Sequence, residues 1–185
     1  MVIGVLALQG AFAIHRPHIE ALNCEYLEVS KAEHFDLIDA LILPGGESGV
    51  MLKLIELSNL TLILQKFMNE KPVWGICAGA ILLANKVTNP NQFSFKILDY
   101  EIERNSYGRQ SESFFRQIND YEVSFIRAPK IINCSDNLLI KHELDGSPTW
   151  IESDISMATM FHPETNKNYP SPWHQEFFNK IKKYI

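Results

Sequence analysis

The chain has 185 residues, of which 46% are hydrophobic, enough to bury one substantial core and of a size usual for a single domain spanning 1–185. Seventeen Lys and Arg stand against 22 Asp and Glu, a formal net charge of −5, and no basic block marks a nucleic-acid-binding face. No apolar run approaches the roughly 18 residues of a membrane helix. Cys24, Cys77 and Cys134 are widely spaced, which speaks against a disulfide framework or a zinc site and for a reducing cytoplasm.

Val2 to Leu8 is a nearly continuous apolar run, as expected of a strand covered on both faces, and begins without the charged leader of a signal peptide. Gln9-Gly10-Ala11-Phe12 then turns into a helical segment through His15 and Ile19 to Leu22. Tyr26–Val29 and Ala40–Leu43 read as the second and third strands, the third closed by Pro44-Gly45-Gly46. Apolar residues from Val50 to Phe67 suit helical packing, with a break near Ser58-Asn59. Val73–Ile76 is a fourth strand and Ala78 onward a helix. Strands alternating with helices imply a parallel sheet, whose ligands collect at the carboxyl ends of its strands.

The turn Gly75-Ile76-Cys77-Ala78-Gly79 puts a thiol between a strand and a helix. Small residues two before and two after fit a sharp bend in which the helix packs close to the strand. A helix start would aim N–H groups and partial positive charge at the sulfur, lowering its pKa and offering donors to an oxyanion. The same five residues also fit a buried structural cysteine. Placement at the sheet edge shared with Gln9-Gly10 and Gly45-Gly46-Glu47-Ser48 favours the reactive thiol.

From Asn89 the chain turns to short strands, expected at Phe93–Leu98, Ser113–Phe115, Tyr121–Ile126, Leu138–His142, Trp150–Glu152 and Met157–Phe161, extending the sheet with mixed or antiparallel pairs. A last helix is expected from Trp173 to Ile185, with Pro172 at its start. His162-Pro163-Glu164 follows the apolar run Met157–Phe161. Alone, His-x-Glu is more often a surface turn; after a buried strand, in a chain that also offers Cys77, it becomes a base with an orienting carboxylate.

Gly75-Ile76-Cys77-Ala78-Gly79 with His162-Pro163-Glu164 resembles the triad-type, class I glutamine amidotransferases. Leu6–Phe12, Leu43–Ser48, Arg104–Gln110 with Ser113-Phe114, Phe125–Pro129 and the His174/Phe178 pair narrow the resemblance to the glutaminase subunits of pyridoxal 5′-phosphate synthase. The resemblance implies an α/β, flavodoxin-like three-layer sandwich around a mainly parallel sheet. It implies that Cys77 attacks the side-chain amide of L-glutamine, that His162 is base and then acid, and that Glu164 orients the imidazole. Ala78 and Gly46 would give the oxyanion donors, the latter after a rearrangement of the Gly45-Gly46 peptide. Gly46, Glu47, Ser48, Arg104, Ile126 and Arg127 would contact substrate, with an Arg suited to the α-carboxylate and Glu47 to the α-ammonium. Gln9 would lie near the oxyanion region and the partner contact. No cofactor or metal is implied. The partner would be the barrel-shaped synthase subunit, in a hetero-oligomer with twelve copies of each, and ammonia would pass to it to build pyridoxal 5′-phosphate.

The sequence departs from the family pattern at Gly49-Val50, Ile76, Phe115 and Thr165, and 130–156 matches only loosely. Alternatives are a glutaminase of another pathway, such as imidazole glycerol phosphate synthase, a non-catalytic binding subunit, and a thiol-dependent chaperone or peptidase. The Arg104–Gln110 block argues against the first, and the intact Cys77, His162 and Glu164 against the second. The third commonly lacks the His-Pro-Glu arrangement after a late strand.

Overall fold

The computed structural model describes residues 1–104 and 113–185. Asn105 to Gln110, most of one of the family-like blocks, therefore lie outside the described residues. Four strands, β1 (Val2–Leu6), β2 (Glu25–Val29), β3 (Ala40–Leu43) and β4 (Val73–Ile76), alternate with α1 (Arg16–Glu20), α2 (Ser48–Leu57) and α3 (Thr61–Glu70). A short α4 (Ala78–Leu83) leaves β4 and runs directly into β5 (Ala84–Thr88). There follow β6 (Leu98–Glu103), β7 (Phe114–Ile118), β8 (Tyr121–Phe125), β9 (Lys130–Cys134), β10 (Leu139–Leu144), β11 (Ser147–Glu152), β12 (Met157–Thr159) and α5 (Pro172–Tyr184).

The main sheet has seven strands in the order β10-β11-β12-β4-β3-β1-β2. The pairs from β12 through β4, β3 and β1 to β2 are parallel, and β11 and β10 extend the sheet antiparallel. Alternating residues of each central strand enter different cores. Ile3, Val5, Ala40, Ile42, Trp74 and Met157 face the layer that holds α1 and α5. Leu6, Leu41, Leu43, Val73 and Ala158 face the opposite layer with α2, α3 and α4. Two apolar faces explain why these strands read as unbroken hydrophobic runs. On one flank, a buried ion pair between Lys180 and Glu152, 2.9 Å, ties α5 to β11.

Several expectations change in the second half. Phe93–Leu98 is not a strand: pairing begins at Leu98, and Lys96 takes φ 56°, which breaks the extension. The backbone of Phe95 and Ile97 instead donates to Leu82 and Leu83 at the end of α4 (2.8 and 3.0 Å). The helix after Cys77 ends at Leu83, and β5 and β9 lie where the sequence marks no strand. Among the other short strands, β5-β6-β9 and the β7-β8 hairpin form separate sheets rather than extending the main one.

Because β1, β3, β4 and β12 run parallel, the residues that follow them share one edge: Gln9, Gly45-Gly46, Cys77 and His162. The close approach at Cys77 depends on Gly79, where a Cβ would lie 2.0 Å from the Leu43 carbonyl oxygen. Backbone cannot yield as a flexible side chain can. Gly79→Ala is expected to destabilise the fold by about 2–3 kcal/mol, as overpacking does, with urea denaturation as the measurement.

Candidate active site

Cys77 sits at φ 48°, ψ −98°, between β4 and α4. A non-glycine residue holds this left-handed conformation only where its surroundings enforce it, and such strain clusters at functional sites. Here the enforcement is visible: the Cys77 N–H donates to the Thr159 carbonyl of β12 (2.8 Å), and α4 begins at once with Ile81 N–H donating back to Cys77 (3.1 Å). The thiol itself is 3.8 Å from the Ile126 carbonyl, to which it can donate. Ala78 is the first residue of α4, where N–H groups are left over by the helix.

His162 lies just beyond β12 and is fixed on both sides. Its N–H donates to Ser124 on β8 (2.8 Å), and its carbonyl accepts the Thr165 hydroxyl (2.9 Å), which in turn contacts Ser124 Oγ (2.9 Å). The departure at Thr165 thus has a structural use. Gly45 leaves room for the ring: a Cβ there would fall 2.2 Å from His162 Cε1. Nδ1 of His162 meets Glu164 Oε1 at 2.7 Å, and both side chains are buried. Nε2 has no hydrogen bond of full geometry among the described residues. Cys77 is nonetheless close enough to act on the imidazole by charge and as a hydrogen-bonding partner. A loose contact of this kind tightens when substrate binds.

Burial is the largest single influence on His162 and pushes its pKa down, but Glu164 and then Cys77 outweigh it, leaving it well above 6.5. For Glu164, burial pushes the pKa up, and His162 and, more weakly, His15 bring it below the ordinary value. Near neutral pH the pair is therefore imidazolium and carboxylate.

The remaining expected residues line a cavity of about 70 Å³ that includes Gly46, Glu47, Ser48, Arg104, Ile126 and Arg127, with Cys77 in its wall. Glu47 and Arg127, read from the sequence as partners for the two charged ends of an amino acid, instead hold each other at 2.7 Å. Both are about half exposed, so the pair is worth no more than ~1 kcal/mol. Arg127, like Cys77, has a positive φ, 46°. Gln9 Oε1 accepts the Glu47 N–H (3.0 Å), while Ala11 N–H donates to the Gly45 carbonyl (3.0 Å). These two bonds flank the Gly45-Gly46 peptide and fix it. A trans peptide holds its C=O and N–H on opposite sides, so the Gly46 N–H faces away from Ala11, and turning the peptide over would give up the Ala11 bond. Gln92, which no sequence motif marked, accepts the Ser48 hydroxyl (3.0 Å).

The model of the SNO glutamine amidotransferase family matches residues 5–183. The chain belongs to this family. It is 40% identical over 191 residues to the pyridoxal 5′-phosphate synthase subunit PdxT of Solibacter usitatus, covering 97% of this chain and 98% of that one. The PdxT of Caldicellulosiruptor saccharolyticus is 41% identical over 189 residues, with 98% of each covered. A crystal structure described as a glutamine amidotransferase superposes with a TM-score of 0.88 at 33% identity, over 98% of this chain and all of that one.

Behind the His162-Pro163-Glu164 turn lies a buried histidine group, of which the family-like blocks marked only His174. His15, His18 and His174 are all fully or almost fully buried. Burial pulls the pKa of His15 down to about 4, that of His174 well below its ordinary value, and that of His18 down as well. The only warning in the sequence was the position of His15 and His18 on the apolar side of a short helix.

Two measurements bear on this geometry. Below pH 6.5 the unfolded chain takes up protons that the three buried imidazoles resist, His15 down to about pH 4, so stability must fall as pH falls. Each refused proton costs about 1.4 kcal/mol per pH unit, or ~3–6 °C for a chain of this size, and Tm followed across that range should show it. His162 works oppositely: its contribution is full below 6.5 and is lost as pH rises through its elevated folded value. Second, Arg127→Ala should raise the KM for glutamine about tenfold or more while moving Tm by less than ~2 °C, because the ion pair it breaks is exposed; an unchanged KM would remove Arg127 from substrate binding.

Proposed function

We propose that this chain is a glutaminase that releases ammonia from L-glutamine through Cys77, His162 and Glu164 and passes it to a pyridoxal 5′-phosphate synthase subunit. The observation that carries the reading is the 2.7 Å His162–Glu164 contact beside a cysteine held at a strained strand-to-helix turn. Its relatives' name supplies the destination.

The chemistry follows from the groups present. The Cys77 sulfur, its proton held by His162, attacks the side-chain amide carbon of glutamine. The carbonyl oxygen becomes an oxyanion, and the N–H groups of Ala78 and Gly46 are its donors. His162 returns the proton to the departing nitrogen, ammonia leaves, and a glutamyl thioester remains on Cys77. His162 then takes a proton from water, the hydroxide attacks the thioester carbonyl, and glutamate departs as the thiol is restored. Glu164 keeps the imidazole oriented and its cation stabilised throughout. Arg104 or Arg127 serves the α-carboxylate, Glu47 the α-ammonium, and Ser48 and Ile126 complete the wall.

Free glutamine must enter a cavity of about 70 Å³, far below the ~300 Å³ at the low end for ligand sites. The site of the isolated chain is narrow, and substrate would enter as Glu47 and Arg127 exchange each other for its charges. This suits a subunit that waits for its partner. We take the partner to be the barrel-shaped synthase subunit, the assembly to be a hetero-oligomer, and the whole of 1–185 to act as one glutaminase domain. The free thiols of Cys24, Cys77 and Cys134 fit a reducing cytoplasm, and among the described residues no helix is long and apolar enough to cross a membrane.

The test is glutamate release from glutamine, with and without the synthase subunit. Slow turnover alone, a marked rise with the partner, and a loss of at least about a thousandfold in Cys77→Ala are expected. Turnover unchanged in Cys77→Ala would refute the mechanism, and indifference to the partner would move the protein to another ammonia-consuming pathway.

A further inference from the structure

We propose that His15 is a positioning residue for Glu164, the end of a buried relay in which Ser171, His174 and His15 pass hydrogen bonds in one direction toward the carboxylate. The proposal rests on the glutaminase reading only for what Glu164 does; the relay itself stands on geometry.

Two distances and an unpartnered nitrogen define it. Ser171 Oγ lies 2.7 Å from His174 Nδ1, His174 Nε2 lies 2.9 Å from His15 Nδ1, and the far nitrogen of His15, Nε2, is buried without a hydrogen-bond partner. The second oxygen of Glu164, Oε2, is likewise buried and unpartnered among the described residues, and the two residues act on each other electrostatically. A buried donor and a buried acceptor are each costly to leave unmatched. They are complementary if His15 Nε2 carries a proton, and one water held between them would make the match.

The direction of the chain can be worked out. A neutral imidazole has one donor and one acceptor nitrogen. If His15 held its proton on Nδ1, it would donate to His174, and a bare lone pair on Nε2 would face an anionic carboxylate. The reverse order removes that repulsion. Ser171 Oγ–H donates to His174 Nδ1, His174 Nε2–H donates to His15 Nδ1, and His15 Nε2–H serves Glu164. Ser171 is ready for this role, because its oxygen already accepts the His174 backbone N–H (3.3 Å) and its own hydrogen is free. All three members are buried, so water does not compete.

His18 completes the support by a separate route. The Ser171 N–H can only donate, so His18 Nδ1 accepts it (3.0 Å) and the ring proton sits on Nε2, which donates to the Glu164 carbonyl (3.3 Å). His18 and His174 stack at 4.2 Å with planes 4° apart, an arrangement two cations would oppose. The depressed pKa values described above keep all three rings neutral around pH 7. Backbone and side chain of Glu164 are thus both held from the first helical segment. The groups that face Glu164 are His162 beside it, His15 and His18 from that segment, and Tyr121 from β8, with Cys77 acting through His162.

The first measurement needs no variant. Long-range proton–nitrogen NMR of the histidine rings in the intact chain should find His15, His174 and His18 all protonated on Nε2; a proton on Nδ1 of His15 would overturn the relay. The second compares His15→Phe, which removes both nitrogens, with His15→Gln, which keeps a donor near Nε2. Without the donor Glu164 is freer to turn and to take up a proton, so its hold on His162 weakens. The His162 ring titration should move down by at least about half a pH unit in His15→Phe and recover most of that shift in His15→Gln. With the synthase subunit present, kcat should drop roughly tenfold or more in His15→Phe with little change in KM. An unmoved His162 titration in a folded His15→Phe would refute the positioning role. If Cys77→Ala retained full turnover, the glutaminase reading would fall, while the tautomers and the titration would still decide the relay.

Discussion

The parallel pairing of β4 with β12 is the constraint on which the rest of the site depends. Its register sets Ile76 beside Thr159, and the next link, Cys77 N–H to the Thr159 carbonyl, belongs at once to the sheet and to the strained turn. Cys77 is thereby locked to the strand whose continuation, a few residues on, delivers His162. The fold does not bring two loops together by chance contact. It lets two adjacent strands end side by side and turns a functional residue off each. Gly79 and Gly45 serve this arrangement by keeping the neighbouring layers free of side-chain bulk, one beneath the elbow and one beneath the imidazole.

Around this rigid centre the cavity-lining charges are held weakly. Glu47 and Arg127 neutralise each other through an exposed ion pair worth at most ~1 kcal/mol, whereas His162 and Glu164 are buried, where removing one charge strands the other at a cost of several kcal/mol. The two pairs therefore differ in what they can do. The buried pair is fixed machinery. The exposed pair can open at the expense of little more than one surface contact, and an amino acid offers both charges a replacement. Gln9 joins the two regimes, since its amide holds the Glu47 N–H from the end of β1.

What the sequence revealed follows the same physics. The first four strands were legible because both faces of the central sheet are covered, which forces continuous apolar runs, and the break between α2 and α3 showed as polar residues in an apolar pattern. Cys77, His162 and Glu164 drew notice because the first follows β4 and the other two follow β12. Phe93–Leu98 misled because its backbone donates to the end of α4 rather than to a ladder, and β5 was hidden because Ala84-Asn85-Lys86 continues a helix-favouring run without a break. The Glu47–Arg127 pair was invisible for a different reason: sequence supplies charges, but only coordinates show that they meet. The histidine relay was less accessible still, since His15 and His174 stand at opposite ends of the chain and nothing in the sequence shows that they meet.

That relay changes how the buried carboxylate should be understood. A carboxylate with one oxygen on His162 and the other in an apolar interior would be driven toward its neutral form, as burial alone does to Glu164. An Arg or Lys behind it would solve that problem but would also compete with His162 for the negative charge. Neutral imidazoles supply a donor without a full counter-charge, so the carboxylate stays ionised and its field remains directed at His162. The cost is the burial of three rings that cannot take up protons, and it falls at acidic pH rather than near neutrality, where the imidazolium of His162 has to persist. The fold thus places its acid-sensitive groups behind the active site so that the single charged histidine in front of them can keep its proton.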